Sequence, residues 1–180
     1  MNMQIDMTLA PNTNVSLAPE RPANTDKEFR FACPGMRLRD GILLRVCQER
    51  GSEWVGLFSP GQSAFSASAP CLGGRLLVVV AEGAAYLVNV GQPTIFACLE
   101  STFVMGLHIV PSAGVVVLFD YWDFWGIGAD GILWHTGTLA DGIKINGNQN
   151  SVNVISGLLD IPGKGATAFS LDALSGEIKL

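Results

Sequence analysis

Apolar and polar positions along this chain alternate over short distances, and nearly every alternating run is bounded by Gly, Pro, Asn, Asp or Ser. Period-two patterning of this kind predicts strands, and the bounding residues predict the turns between them. The runs fall at Gly41 to Gln48, Glu53 to Ser59, Arg75 to Ala81, Ala84 to Val90, Thr94 to Leu99, Phe103 to Ile109 and Gly114 to Phe119. They continue at Asp123 to Ile127, Ile132 to Thr136, Gly142 to Ile145, Val152 to Gly157, Thr167 to Leu171 and Gly176 to Leu180. No apolar stripe of period 3.6 runs beyond two turns, so the expected fold class is all-β. Asp40-Gly41, Asp130-Gly131 and Asp141-Gly142 suit the positive φ angles of tight hairpins and are read as turns.

The first 28 residues follow a different rule. "MNMQIDMTL" alternates strictly and reads as an edge or partner-pairing strand. "APNTNVSLAPERPANTDKE" is rich in Pro, Asn and Thr and reads as a flexible linker. The domain organisation expected is therefore an N-terminal strand and linker over 1–28 and one β-repeat domain over 29–180, a length suited to a single core.

Within that domain a pattern returns. "GGRLLVVVAEGAAYLVNVGQPTIFACL" aligns with "SAGVVVLFDYWDFWGIGADGILWHTGTL" about forty residues later, and "GKGATAFSLDALSGEIKL" repeats part of it. Several strands per repeat at that period suggest propeller blades, small sheets that bury their faces by stacking on neighbours. "AFSLDALSGEIKL" resembles the inner-strand segment of quinoprotein-like and tryptophan–aspartate-repeat propellers. The order of segments at Trp54 to Phe58, Leu76 to Val88, Gly131 to Thr136, Asp141-Gly142 and Phe169 to Gly176 is similar to that of small bacterial β-repeat proteins with no assigned function. The resemblance covers most of residues 40–180. It transfers no catalytic residue, and the domain has room for about three antiparallel blade-like repeats, fewer than a closed propeller, so a propeller-like or sandwich arrangement of them is expected.

Charge sharpens the picture. The chain carries a net −5, and seven of its eleven Lys and Arg precede residue 51. Between Arg75 and Lys144 there is no Lys or Arg, while Glu82, Glu100, Asp120, Asp123, Asp130 and Asp141 lie there. Nucleic acid is thereby excluded as the expected partner, and a basic protein is favoured. No apolar run approaches the roughly 20 residues that span a bilayer, so no membrane partner is expected. The opening segment lacks the basic region and apolar core of a signal peptide, which makes a cytoplasmic setting the expectation. Cys33, Cys47, Cys71 and Cys98 contain no Cys-x-x-Cys pair and have no nearby histidine, so four free thiols and no metal site are expected.

One stretch concentrates candidate chemistry. "DYWDFWGIGADGILWH" holds three of the four tryptophans and three aspartates. The spacing of Asp120, Asp123 and Asp130 does not match a calcium loop, and "GIGADG" lacks the helix that a dinucleotide site needs. A general acid or base at Asp120 or Asp123, paired with His135 or His108, has no nucleophile in a recognisable elbow beside it. No catalytic residue and no cofactor is assigned. What remains is a hairpin whose Asp120, Trp122, Asp123, Trp125, Asp130 and Trp134 form a partner-binding surface, with solvated carboxylates around aromatic anchors. The competing expectation is that the tryptophans fill the core. The leading functional reading is a non-enzymatic protein-binding protein, in its concrete version an immunity-type inhibitor of a basic toxin. The alternatives are a small-molecule or carbohydrate-binding module with stacking tryptophans, and a hydrolase with a loop-assembled site.

Overall fold

The computed structural model describes residues 4–5, 13–18, 28–48, 52–70, 75–146 and 152–180. Every regular element among them is a strand, as the alternation predicts. The chain divides into two compact units, Met1–Val104 and Met105–Leu180.

The first unit holds two sheets. One runs β1 (Gln4–Ile5), β6 (Ala67–Pro70), β7 (Leu76–Ala81), β8 (Ala84–Asn89), β9 (Phe96–Cys98). The other has the order β2 (Thr13–Leu17), β4 (Ile42–Gln48), β5 (Glu53–Phe58), β3 (Glu28–Phe31). Leu44, Val46, Trp54 and Phe58 from the second sheet share one buried cluster with Leu77, Val79, Tyr86 and Val88 from the first. Alternate residues Val78, Val80 and Leu87 are buried as well, so β7 and β8 bury both faces and carry almost no polar side chain. The Trp54 indole crosses between the sheets and donates to the Val90 carbonyl at 3.0 Å.

The second unit repeats the plan more regularly. Four strands form an antiparallel meander, β10 (Gly106–Val110), β11 (Val115–Phe119), β12 (Phe124–Gly128) and β13 (Gly131–His135). A second meander follows with β14 (Gly142–Ile145), β15 (Val154–Ile161), β16 (Gly165–Asp172) and β17 (Ile178–Lys179). Val115, Val117 and Phe124 pack with Ile155, Leu159, Phe169 and Leu171. The fold is all-β and built of blade-like, mainly antiparallel sheets. Among the described residues there are four of them. The one that escaped the repeat pattern is assembled from a single hairpin, β4–β5, flanked by β2 on one side and a parallel β3 on the other.

Other expectations need revision. Thr13–Leu17, within the stretch read as linker, is a strand paired with β4, and its Val15 is only 4% exposed. Of the N-terminal alternating segment, Gln4–Ile5 pairs in parallel with Ala67–Ser68, and the rest lies outside the described residues. The third repeat copy supplies only β16 and β17 of its sheet. Of the three Asp-Gly pairs, Asp130-Gly131 alone closes a hairpin with positive φ, at Gly131 (129°). Asp40-Gly41 and Asp141-Gly142 instead lead into β4 and β14.

The expectation of four free thiols is overturned at two positions. Cys33 and Cys98 form a disulfide with Cα atoms 5.6 Å apart and a sequence separation of 65. The local spacing carries no trace of it, because the partners meet only when the two sheets of the first unit pack. Cys47 is a free thiol, and burial together with the adjacent Glu53 raises its pKa. Cys71 lies outside the described residues.

His108, on β10 opposite Val117, is half-buried, and burial lowers its pKa below the ordinary 6.5. The unfolded chain therefore takes up this proton more readily than the folded one. Its contribution to stability is complete above the unfolded value and is lost as pH falls through the folded value. His108→Gln should flatten the fall in Tm between about pH 7 and pH 5. An identical slope in the variant would remove His108 as its source.

Candidate functional site

The stretch 120–135 leaves β11 in a turn and continues as β12, a tight hairpin and β13, and each candidate side chain takes a place set by that path. Asp120 directly follows β11 and is 2% exposed. Its Oδ1 accepts hydrogen bonds from the backbone N–H of Trp122 at 2.7 Å and of Asp123 at 2.9 Å. An aspartate that bonds the backbone two and three residues on is a turn-forming device. The same geometry recurs at Asn89, toward Gly91 and Gln92, and at Asp172, toward Leu174 and Ser175. At Asp172 the Ser175 N–H and hydroxyl lower the carboxyl pKa. The expectation of a solvated, partner-facing Asp120 is therefore corrected: it builds the turn from inside.

That turn presents Tyr121 and Trp122, 38% and 42% exposed, with ring centroids 5.8 Å apart and edge to face. The Trp122 carbonyl accepts from Leu139 N–H at 2.9 Å, which ties the turn to the segment leading to β14. Asp123 reaches sideways: its Oδ2 lies 2.9 Å from His135 Nε2, both near the surface. His135 stands opposite Trp125 in the β12–β13 register and stacks on it at 4.9 Å and 7°. Trp125 itself is 4% exposed, so its expected role as a surface anchor is corrected too.

Trp134 serves the core. Its ring lies over Gly126, where a Cβ would come within 2.1 Å of it, and against Gly176, whose φ is +74°. Its indole N–H donates to the Ala173 carbonyl at 3.0 Å, so one side chain joins the two sheets of the second unit. Asp130 is exposed in the β12–β13 hairpin, at the other end of β12 from Trp122. Five residues of strand put roughly 17 Å between those ends. The six candidates thus separate into an exposed Trp122 with Asp123 beside it, two internal residues, one core clamp and one remote carboxylate.

Two residues outside the candidate set join the surface, Tyr121 and His135. The signal for His135 was available: in paired strands Trp134 and His135 must face opposite sides, and the one facing Trp125 can reach Asp123. For Tyr121 no sequence signal separates a turn residue from a strand residue. Among the described residues no three His, Cys, Asp or Glu side chains gather as metal ligands. No described helix is long and apolar enough to cross a membrane.

The fold and this surface define a β-sheet protein with blade-like sheets and an aromatic, acidic turn. No family model and no curated protein matches the chain. Among solved structures, one described as the crystal structure of the N-terminal domain of Nup159 is similar, with a TM-score of 0.44 and 14% identity. The match covers 99% of this chain and 52% of that one, so this chain spans about half its length.

Proposed function

We propose that the chain is a non-enzymatic protein-binding module whose contact point is the Tyr121–Trp122 turn, with a basic protein as partner. The observation that carries this is the pair of exposed rings held on a turn that buried Asp120 makes rigid. Rings held in place lose little conformational freedom on binding, the usual property of interface anchors. Asp123 and the exposed Asp141, which follows the Leu139 contact to Trp122, give the surroundings negative charge. An immunity-type inhibitor of a basic toxin is the concrete form of the proposal.

The test is affinity capture from the native cell with wild-type and Trp122→Ala protein, followed by binding kinetics on the captured partner. Trp122→Ala should leave the melting temperature nearly unchanged and raise the dissociation rate about 30-fold, the equivalent of about 2 kcal/mol. Asp141→Asn should slow association and weaken its salt dependence. A partner that binds Trp122→Ala as tightly as wild type would refute the proposed contact.

The setting belongs to the same proposal. The sequence favours the cytoplasm, whereas a Cys33–Cys98 bond favours an oxidising compartment, where such bonds persist. Fractionation of the native cell decides between them.

A further inference from the structure

We infer a second binding site in the first unit, separate from the aromatic turn: a cleft that takes the phosphate group of a small molecule. The cleft is open to solvent, has a volume of about 380 Å³, and is lined by exposed Arg37, Arg39 and Gln62 with part-buried Met36, Gly61 and Thr102. Small-molecule sites begin at about that size. Two arginines on one cleft are notable in a chain of net charge −5, and the carboxylate next in sequence, Asp40, is not among the lining residues.

The arginine-bearing segment is held at both ends. At its start the Cys33–Cys98 bond anchors a turn closed by Met36 N–H on the Cys33 carbonyl at 2.9 Å, with Gly35 at φ +80°. Further along, Arg39 is clamped to Ser59, a fully buried residue. The Arg39 N–H donates to Ser59 Oγ at 3.0 Å, and that hydroxyl donates to the Arg39 carbonyl at 3.3 Å. Ser59 is itself fixed, its N–H on the Phe31 carbonyl and its carbonyl on the Tyr86 hydroxyl at 2.7 Å. The guanidinium is then steadied by one bond from Nη2 to the Pro60 carbonyl at 3.2 Å, which leaves its other donors for a ligand.

The opposite wall supplies neutral donors. The Gln62 N–H donates to the Thr102 carbonyl at 2.9 Å, and Gln62 Nε2 donates to Thr102 Oγ1 at 3.2 Å. The second amide hydrogen of Gln62 and the hydroxyl proton of Thr102 remain to give. Gly61 between the walls has no room for a side chain, since a Cβ would lie 2.4 Å from Ala84 N and 2.5 Å from the Thr102 carbonyl oxygen. An arginine fork pairs with carboxylate and phosphate alike, but two guanidinium groups with an amide and a hydroxyl donor suit the three oxygens and higher charge of a phosphate better than the two oxygens of a carboxylate. Met36 provides an apolar wall for the group that the phosphate is attached to.

Calorimetric titration of the full chain at fixed ionic strength tests this with three probes, inorganic phosphate, phenyl phosphate and acetate. Both phosphates should bind at one site, phenyl phosphate several-fold tighter through Met36, and acetate at least tenfold more weakly. Arg37→Gln and Arg39→Lys should each weaken phosphate binding by roughly tenfold, the second because a lysine lacks the fork. Both variants keep the backbone clamp, and unchanged melting curves establish that they fold. No saturable phosphate binding, affinity unchanged in both variants, or acetate equal to phosphate would each overturn the assignment. Trp122→Ala should bind phosphate as wild type does, which separates this site from the proposed protein contact.

Discussion

Trp134→Ala should destabilise the protein by about 3 kcal/mol, the lower end of the range for truncating a packed tryptophan, because the ring is half-buried. The loss has three parts. The ring vacates a slot that Gly126 and Gly176 leave for it, and neither glycine has a side chain to fill the gap. The Ala173 carbonyl loses its indole donor, and the packing between the β10–β13 and β14–β17 sheets loses a member. Trp134→Phe should recover much of the packing and leave a deficit of about 1 kcal/mol for the missing hydrogen bond. Chemical denaturation of the two variants beside Trp122→Ala makes the comparison. A Trp134→Ala protein as stable as wild type would show that the ring is no clamp, and a Trp122→Ala protein that unfolds would show that its ring is core.

Breaking the Cys33–Cys98 bond should cost more. Closing a loop of 65 residues restricts the unfolded chain by about 4 kcal/mol in the loop-entropy model. The bond also ties β9, a strand of three residues at the edge of its sheet as described and paired to β8, to the segment that follows β3. Cys33→Ser combined with Cys98→Ser should therefore lower the denaturation midpoint strongly, and reduction of the wild-type protein should reproduce the shift. Alkylation of freshly isolated, unfolded protein without reductant should leave these two cysteines unmodified. Modification at all four positions would refute the bond and restore the all-thiol expectation.

The class of fold was legible because period-two alternation and turn residues are local properties. All thirteen expected strands are present, their ends displaced by a few residues. Two of the strands that went unrecognised have clear physical reasons. "ASAP" (β6) is wholly buried and shows no alternation, with residues of low strand propensity. β2 lies in a composition typical of linkers and is a strand because β4 offers it an edge and the core accepts Val15.

At the candidate site the sequence by itself determined that aromatic rings and carboxylates would crowd one hairpin, and that Trp134 and His135 would face opposite sides. Which ring meets solvent was decided by tertiary structure. The turn after Asp120 takes Tyr121 and Trp122 out of the strand, so the alternation that assigns faces restarts only at Phe124. Trp134 packs against the core because Gly126 and Gly176, fifty residues apart in sequence, together leave a slot for its ring. The disulfide and the arginine cleft likewise depend on groups that meet only when sheets pack, Cys33 with Cys98 and Arg39 with Ser59. A local pattern reports what each residue prefers next to its neighbours; it holds no information about which distant backbone will arrive beside it.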